Sequence, residues 1–523
     1  MSFIAPRLPE SAPFSPLQRA WIDGYLAALL GDGGAAATAT GLPAPQASPE
    51  PEDFPWHDPG MPLDERLALA AGRLPARVYM AAMAQTDCGQ CGYQCRSYAE
   101  AIASGAESDL GRCVPGGRTT ARKLKELAAE FSTGAAAPAT VAVVAPVSAP
   151  LAPTPAEPFP ARLREARRLN REGSDKDTRL VVLETDGHDD FQVGDSLGVA
   201  PRNCPELVAA IIARLGARAD VAVLAPDGIE RPLIEALTDC CEIRLPSDQA
   251  IEVLASRALD LDESRVLQAM AEGYPGAGPE DADLLDLLDA FPSARPPLSE
   301  LISALDPLRP RLYSIASSPK HFSGEVHLTV AAVRYDKRGR RRTGVASTYL
   351  SDRLPAGETL PVHLHPAEGF RLAAPDVPIV MIGPGTGIAP FRAFLQERQA
   401  TGASGRNWLL FGNPHRDRDF LFEDELTAYY RDGLLTRFDT AFSRDQQSKV
   451  YVQHRLLENA RELWAWLEDG AHLYVCGDAQ KMARDVDQGL AYIVGKEGGM
   501  PPAAAKAYLA RLAAEGRYQR DVY

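Results

Sequence analysis

The sequence predicts a multidomain chain of mixed α+β and α/β class. An antiparallel β-barrel with a helical insertion leads into a doubly wound parallel sheet, and a small helical domain lies nearer the N-terminus. Three patterns carry this prediction. TRLVVLETD reads as a strand, FQVGDSLGVA as a strand–turn–strand, and EVHLTVAAVRYD as one long strand, all rich in β-branched residues. Between them, residues 203–300 turn to helical periodicity in CPELVAAIIARLG, ESRVLQAMAEG and DADLLDLLDAF. From Val377 onward, the short apolar runs VPIVMIG, NWLLFGN and HLYVCGD alternate with helices such as APFRAFLQERQ. Strand–helix alternation of that kind builds a parallel sheet.

At 523 residues the chain calls for two to four domains. Hydrophobic and charged fractions of 45% and 24% are those of a soluble globular protein. A net charge of −15 opposes nucleic-acid binding, which needs a basic footprint. The acidic surface suits docking on a basic protein face, or simply solubility. MSFIAPRLPESAPF lacks the basic start and apolar run of a secretory signal. The most apolar tract, 135–152, is broken by Pro146 and Pro150, with Pro153 just beyond, so no membrane span is expected and the compartment is cytoplasm.

Residues 14–30 form an amphipathic helix through Leu17, Trp21, Ile22, Tyr25, Leu26 and Leu29, either a partner or oligomer helix or a packed one. The expected division is 1–61 for this helix and a Gly/Ala/Pro-rich stretch, 62–131 for a cysteine domain and 132–161 for an Ala/Pro linker. The barrel follows over 162–366 and the parallel-sheet domain over 367–523.

Glycines 383, 385 and 387 follow the strand at 377–382 and open a helix with Pro390 in its first turn. Such a loop lets backbone N–H groups approach a diphosphate, with Thr386 adding a hydroxyl. Ser443, Arg444, Lys449 and Tyr451 offer two cations, a hydroxyl and an aromatic face, which suits a 2′-phosphate and adenine and favours NADPH over NADH. Arg311 and Tyr313 lie two apart on a strand, for a pyrophosphate and an isoalloxazine, with Ser314 beside them. Gly344, Val345, Ala346, Ser347 and Thr348 make a small-residue turn before a helix, a second phosphate-binding opening. Cys476 ends a buried strand, a position open to packing or to chemistry.

RLYSIASS, GVASTYL, GPGTGIAPFRAFLQER, FGNPHRDRDFLFEDEL, SRDQQSKVYVQ, YVCGDAQKMARDV and RYQRDVY together resemble the FAD/NADPH module of the diflavin reductases over about residues 160–523. The sulfite reductase flavoprotein alpha subunit resembles it more than cytochrome P450 reductase does. The resemblance implies a ferredoxin-NADP reductase-like arrangement. Arg311, Tyr313, Ser314 and Gly344–Thr348 would bind FAD, Gly385, Thr386 and Gly387 the NADPH diphosphate, and Ser443, Arg444, Lys449 and Tyr451 its 2′-phosphate and adenine end. Ser314, Cys476 and Asp521 would assist hydride transfer, and Tyr523 would stack on the flavin and move aside for the nicotinamide.

In place of a flavodoxin domain stand Cys88, Cys91, Cys95 and Cys113, spaced C-x2-C-x3-C-x17-C. Three thiolates close together and one distant suit a [4Fe–4S] cluster, with structural zinc as the main alternative. The segment resembles the small cluster domain of Rnf-type ferredoxin subunits, which have one more residue between the second and third cysteines. Cys204, Cys240 and Cys241 are expected in packing. Hydride arrives as an electron pair while haem or molybdenum partners accept electrons singly, so a cluster in place of FMN makes a relay. The expected acceptor is a terminal reductase subunit, the sulfite reductase hemoprotein first and a nitrate or nitrite reductase second. A redox-sensing or scaffold protein with a regulatory cluster is the reading from another class.

Overall fold

Residues 54–133 (apart from 87–90, 92 and 114) and 157–523 (apart from 189, 275 and 368) are described by the computed structural model. Residues Pro55–Tyr523 form one compact unit. The helix expected at 14–30 and most of the Ala/Pro stretch lie outside the described residues.

Four helices, Leu63–Ala70, Pro75–Ala82, Cys95–Ser104 and Gly117–Thr133, frame the cysteine segment. Pro75 opens the second of them, where the missing N–H costs nothing. Trp56, Met80, Tyr98 and Leu124 are buried among them, and Phe131 meets Tyr79 edge-on at 5.4 Å between ring centroids.

Six strands form the first sheet: β1 (Phe159–Arg168), β2 (Thr178–Glu184), β3 (Ser196–Val199), β4 (Arg311–Ser314), β5 (Glu325–Ala331) and β6 (Thr359–His365). Their order is β4-β3-β6-β1-β2-β5, antiparallel throughout. The charged sequence FPARLREARR becomes β1 because Phe159, Ala161 and Leu163 alternate inward while their neighbours face out. It begins ahead of the boundary expected at 162.

Two strand readings need correction. FQVGDSLGVA is extended only over Ser196–Val199. Asp195 accepts from Gln192 N at 2.8 Å, and Gly194 turns with φ +103°, so a side-chain-closed turn replaces the first strand. EVHLTVAAVRYD breaks at Ala332–Val333, whose amides donate to Asp177 O and Ser347 Oγ. Arg334–Lys337 then pairs with Arg340–Thr343 in a separate hairpin, with Arg338 and Gly339 both at positive φ in its turn. The helical insertion holds this hairpin through Asp283 and Asp286, which pair with Arg340 and with buried Arg342.

The second sheet comprises β7 (Ile379–Ile382), β8 (Asn407–Asn413), β9 (Arg437–Phe442), β10 (His472–Gly477) and β11 (Tyr518–Val522). Its order β9-β8-β7-β10-β11 is parallel throughout. Val380, Ile382, Leu410 and Val475 face one helical layer, and Ile379, Met381, Leu409 and Tyr474 the other. Burial on both faces explains the unbroken apolar runs in the sequence. Among the described residues, no helix is long and apolar enough to cross a membrane.

Candidate functional site

Parallel pairing of β10 with β11 sets Cys476 directly beside Asp521. Antiparallel pairing of β3 with β4 sets Ser314 beside Ser196 on the other sheet. The two sheets meet there. Ser314 Oγ donates to Asp521 Oδ2 at 2.6 Å, and Cys476 Sγ lies 3.6 Å from the same oxygen. Burial, with the Asp521 charge second, pushes the Cys476 thiol well above its ordinary value. Burial also raises the Asp521 carboxyl, against the opposing hydrogen bonds from Ser314 and Cys476 and the nearby His365. The residues read from sequence as one constellation are therefore brought together.

The glycine loop lies against the same strand end. A Cβ on Gly387 would fall 2.1 Å from Cys476 O, so only glycine permits this approach. Gly385 has φ +60°, and the helix Ile388–Ala400 follows. Thr386 Oγ1 and Tyr523 Oη are 2.6 Å apart, and Tyr523 is 58% exposed. Its backbone is held on both sides, Tyr523 N donating to Gly477 O and Ala479 N to Tyr523 O, each at 3.1 Å.

Arg311 donates to Glu242 Oε2 at 2.9 Å and to Arg309 O at 2.6 Å. Tyr313 is two positions along, its phenol raised by burial. Gly344 begins the turn Val345–Thr348, all four residues buried. A Cβ on Gly344 would meet Ser347 Oγ at 2.3 Å, and Thr348 Oγ1 closes the turn on Gly344 O at 2.7 Å. A cavity of about 200 Å³ opens beside Val345, lined in part by Arg244, Arg341 and Thr343. A tight small-residue turn beside arginine-lined space fits a flavin dinucleotide's phosphates.

Ser443, Arg444, Lys449 and Tyr451 follow β9. Arg444 is exposed, 3.7 Å from Asp175, and Lys449 is exposed in the same loop. Lys176 joins them from the loop that leads into β2. Its Nζ donates to Asn413 Oδ1 at 2.9 Å, and burial, opposed by Asp419, with repulsion from Arg444, lowers its affinity for a proton. Neither Lys176 nor His365 was read from the sequence. Each belongs to a strand or loop of the other sheet's domain, and linear spacing carries no signal for such a meeting.

Cys95 opens the helix Cys95–Ser104, and Cys113 leads into the helix Gly117–Thr133. Cys88 lies outside the described residues. Cys91 and Cys113 both act electrostatically on Tyr98, and Cys95 and Cys113 both act on the buried Arg66 guanidinium. The three described sulfurs thus share one small region with a cation beside it. A Cβ on Gly116 would come within 3.0 Å of Cys113 Sγ, so the loop is tight where a sulfur-bound group would sit. This arrangement fits a thiolate-held cluster.

Comparison with known families matches residues 153–349 to an "FAD binding domain", 381–488 to an "Oxidoreductase NAD-binding domain" and 83–115 to a "Putative Fe-S cluster" family. The chain joins an FAD-binding domain to an NAD-binding oxidoreductase domain. The chain is 44% identical over 398 residues to the sulfite reductase [NADPH] flavoprotein alpha-component of Bacillus subtilis (strain 168), covering 75% of the chain and 65% of that relative. It is 44% identical over 374 residues to the protein of the same name from Escherichia coli (strain K12), covering 70% of the chain and 61% of the relative. The chain therefore spans less than two thirds of these relatives' lengths.

Proposed function

We propose that the chain is a cytoplasmic NADPH-dependent electron-transfer flavoprotein whose [4Fe–4S] cluster, on Cys88, Cys91, Cys95 and Cys113, relays electrons to a separate terminal reductase. The sulfite reductase hemoprotein is the favoured partner, because relatives named as sulfite reductase flavoprotein alpha-components share 44% identity with the chain. The observation that carries the reading is the meeting of Ser314, Cys476 and Asp521 between two sheets, against the glycine loop. By this reading 62–131 is the cluster domain, 132–161 the connection, 162–366 the FAD-binding barrel with 203–300 inserted, and 367–523 the NADPH-binding domain. The isolated Ile315–Leu328 bridge, next to one edge strand and on the other, supports the barrel reading.

Bound FAD would accept a hydride and give up its electrons one at a time. Arg311 and Gly344–Thr348 hold its pyrophosphate, and Tyr313 offers a ring face. Gly385, Thr386 and Gly387 take the NADPH diphosphate. Movement of Tyr523 would free the Thr386 hydroxyl for that task and make room for the nicotinamide. Ser443, Arg444, Lys449 and Tyr451 hold the 2′-phosphate and adenine end, with Lys176 adding a charge. Ser314 Oγ would offer a hydroxyl to bound flavin, and Asp521, which accepts from it, would hold or supply its proton. Cys476 stays a neutral thiol that closes the pocket to water.

The test is Cys88→Ser in the full chain, prepared without oxygen. FAD content and its reduction by NADPH should persist while cytochrome c reduction falls to background. Undiminished one-electron transfer in that variant sinks the relay.

A further inference from the structure

We infer that the cysteine segment is seated on the oxidoreductase by a two-point polar clasp, and that its Asp58–Arg520 point braces the strand carrying Asp521 and Tyr523. This deepens the relay reading and rests on it for its purpose, but the contacts themselves require no cluster.

At the first point Arg520 Nη1 and Asp58 Oδ1 are 3.1 Å apart, with side chains 23% and 27% exposed. Arg520 also lies near the carboxylate of Asp487, which accepts from Tyr518 Oη at 3.3 Å. The turn behind Asp58 is pressed close, since a Cβ on Gly60 would lie 3.4 Å from Ala479 O and 3.9 Å from Arg484 Cβ. Ala479 N in turn donates to Tyr523 O. One short turn of the cysteine segment thus touches both backbone stretches that flank the Cys476–Asp521 pair.

At the second point, on the helix Gly117–Thr133, Lys125 Nζ donates to Asp248 Oδ2 at 2.7 Å and Arg122 Nη1 to Gly273 O at 3.1 Å. An acidic residue of the cysteine segment also acts on one across the seam. Burial first, and the Asp109 carboxylate second, raise the Asp306 carboxyl. Asp109 stands four residues ahead of Cys113, and Asp306 five ahead of Arg311. Partly exposed ion pairs make a salt-sensitive docking. Such a joint suits a carrier that must sit by the flavin and also release. Because Arg520 adjoins Asp521, undocking loosens the hydride site, and Arg520 acts as a positioning residue.

Hydrogen exchange on the full FAD-loaded chain tests this, in low and high salt. Asp58→Asn keeps the turn's hydrogen bond from Gly60 N to Asp58 Oδ1 while removing the charge. It should speed exchange about tenfold in peptides covering 56–61, 478–484 and 517–523, and Asp58→Glu should restore slow exchange. Lys125→Glu should loosen 119–127 and 270–275, with recovery in the Lys125→Glu/Asp248→Lys swap. Unchanged exchange in 517–523 for Asp58→Asn overturns the brace, and failure of the Lys125–Asp248 swap to recover overturns the clasp. Exchange reads out whether or not the cysteines hold iron, so failure here is distinct from failure of the relay.

Discussion

Asp521 accepts from Ser314 at 2.6 Å, and burial holds its carboxyl above the ordinary carboxylate range. A raised folded-state value means the folded chain keeps a proton that the unfolded chain has lost. The stabilisation it gives is complete below the usual value of about 4 and disappears as pH rises through the raised one. Asp521→Asn should flatten the part of the unfolding-midpoint profile that falls as pH rises above about 4, and an identical profile would falsify the assignment. Ser314→Ala, which removes the hydroxyl that donates to Asp521, should slow flavin reduction by NADPH about a hundredfold with little change in KM. In the proposed role, Arg444 would give a 2′-phosphate charge-assisted hydrogen bonds worth about 1.5–3 kcal/mol each. Arg444→Ala should therefore raise KM for NADPH at least tenfold and leave NADH unaffected; equal losses for both would remove Arg444 from that role.

Elements whose own residues dictate them were legible in the sequence, and elements dictated by distant partners were not. The buried strand Ile379–Ile382 and its glycine loop announce themselves because β7 must be apolar on both faces and the loop must approach Cys476 O closely. That requirement is testable. Gly387→Ala puts a methyl where backbone already stands, so NADPH binding should be lost and stability should fall by at least about 1–3 kcal/mol. Normal NADPH affinity would mean the loop can relax. By contrast β1 was hidden by its arginines, and the break after Ala331 depends on Asp177 O and Ser347 Oγ capturing two amides from far along the chain. The site shows the same division. Ser314, Cys476, Thr386 and Arg444 sit in motifs whose order is readable, whereas Lys176 and His365 join them only through folding. Asp58 and Arg520 meet across 462 positions, a separation that no local pattern records.

Across the whole molecule the two dinucleotide domains are joined by a buried polar seam. His327 Nδ1 accepts from Arg392 Nη1 at 3.0 Å, its Nε2 donates to Glu325 at 3.1 Å, and Arg392 also holds Ala316 O and Glu425. Burial and then the Arg392 charge push the imidazole down to about 4, opposed by Glu325 and Glu425. A lowered histidine stabilises above its ordinary value of 6.5 and gives that up as pH falls toward about 4. Wild-type chain should lose stability against His327→Gln over that window in urea unfolding; parallel curves would show that the seam does not titrate. The cysteine segment is docked beside β11 through Asp58 and Arg520. Whether the cysteines hold iron is therefore the decisive matter. Anaerobically prepared full chain should contain about four iron atoms and about four labile sulfides for each FAD, bleaching on addition of NADPH. FAD with zinc, or with no metal and no sulfide, would contradict it.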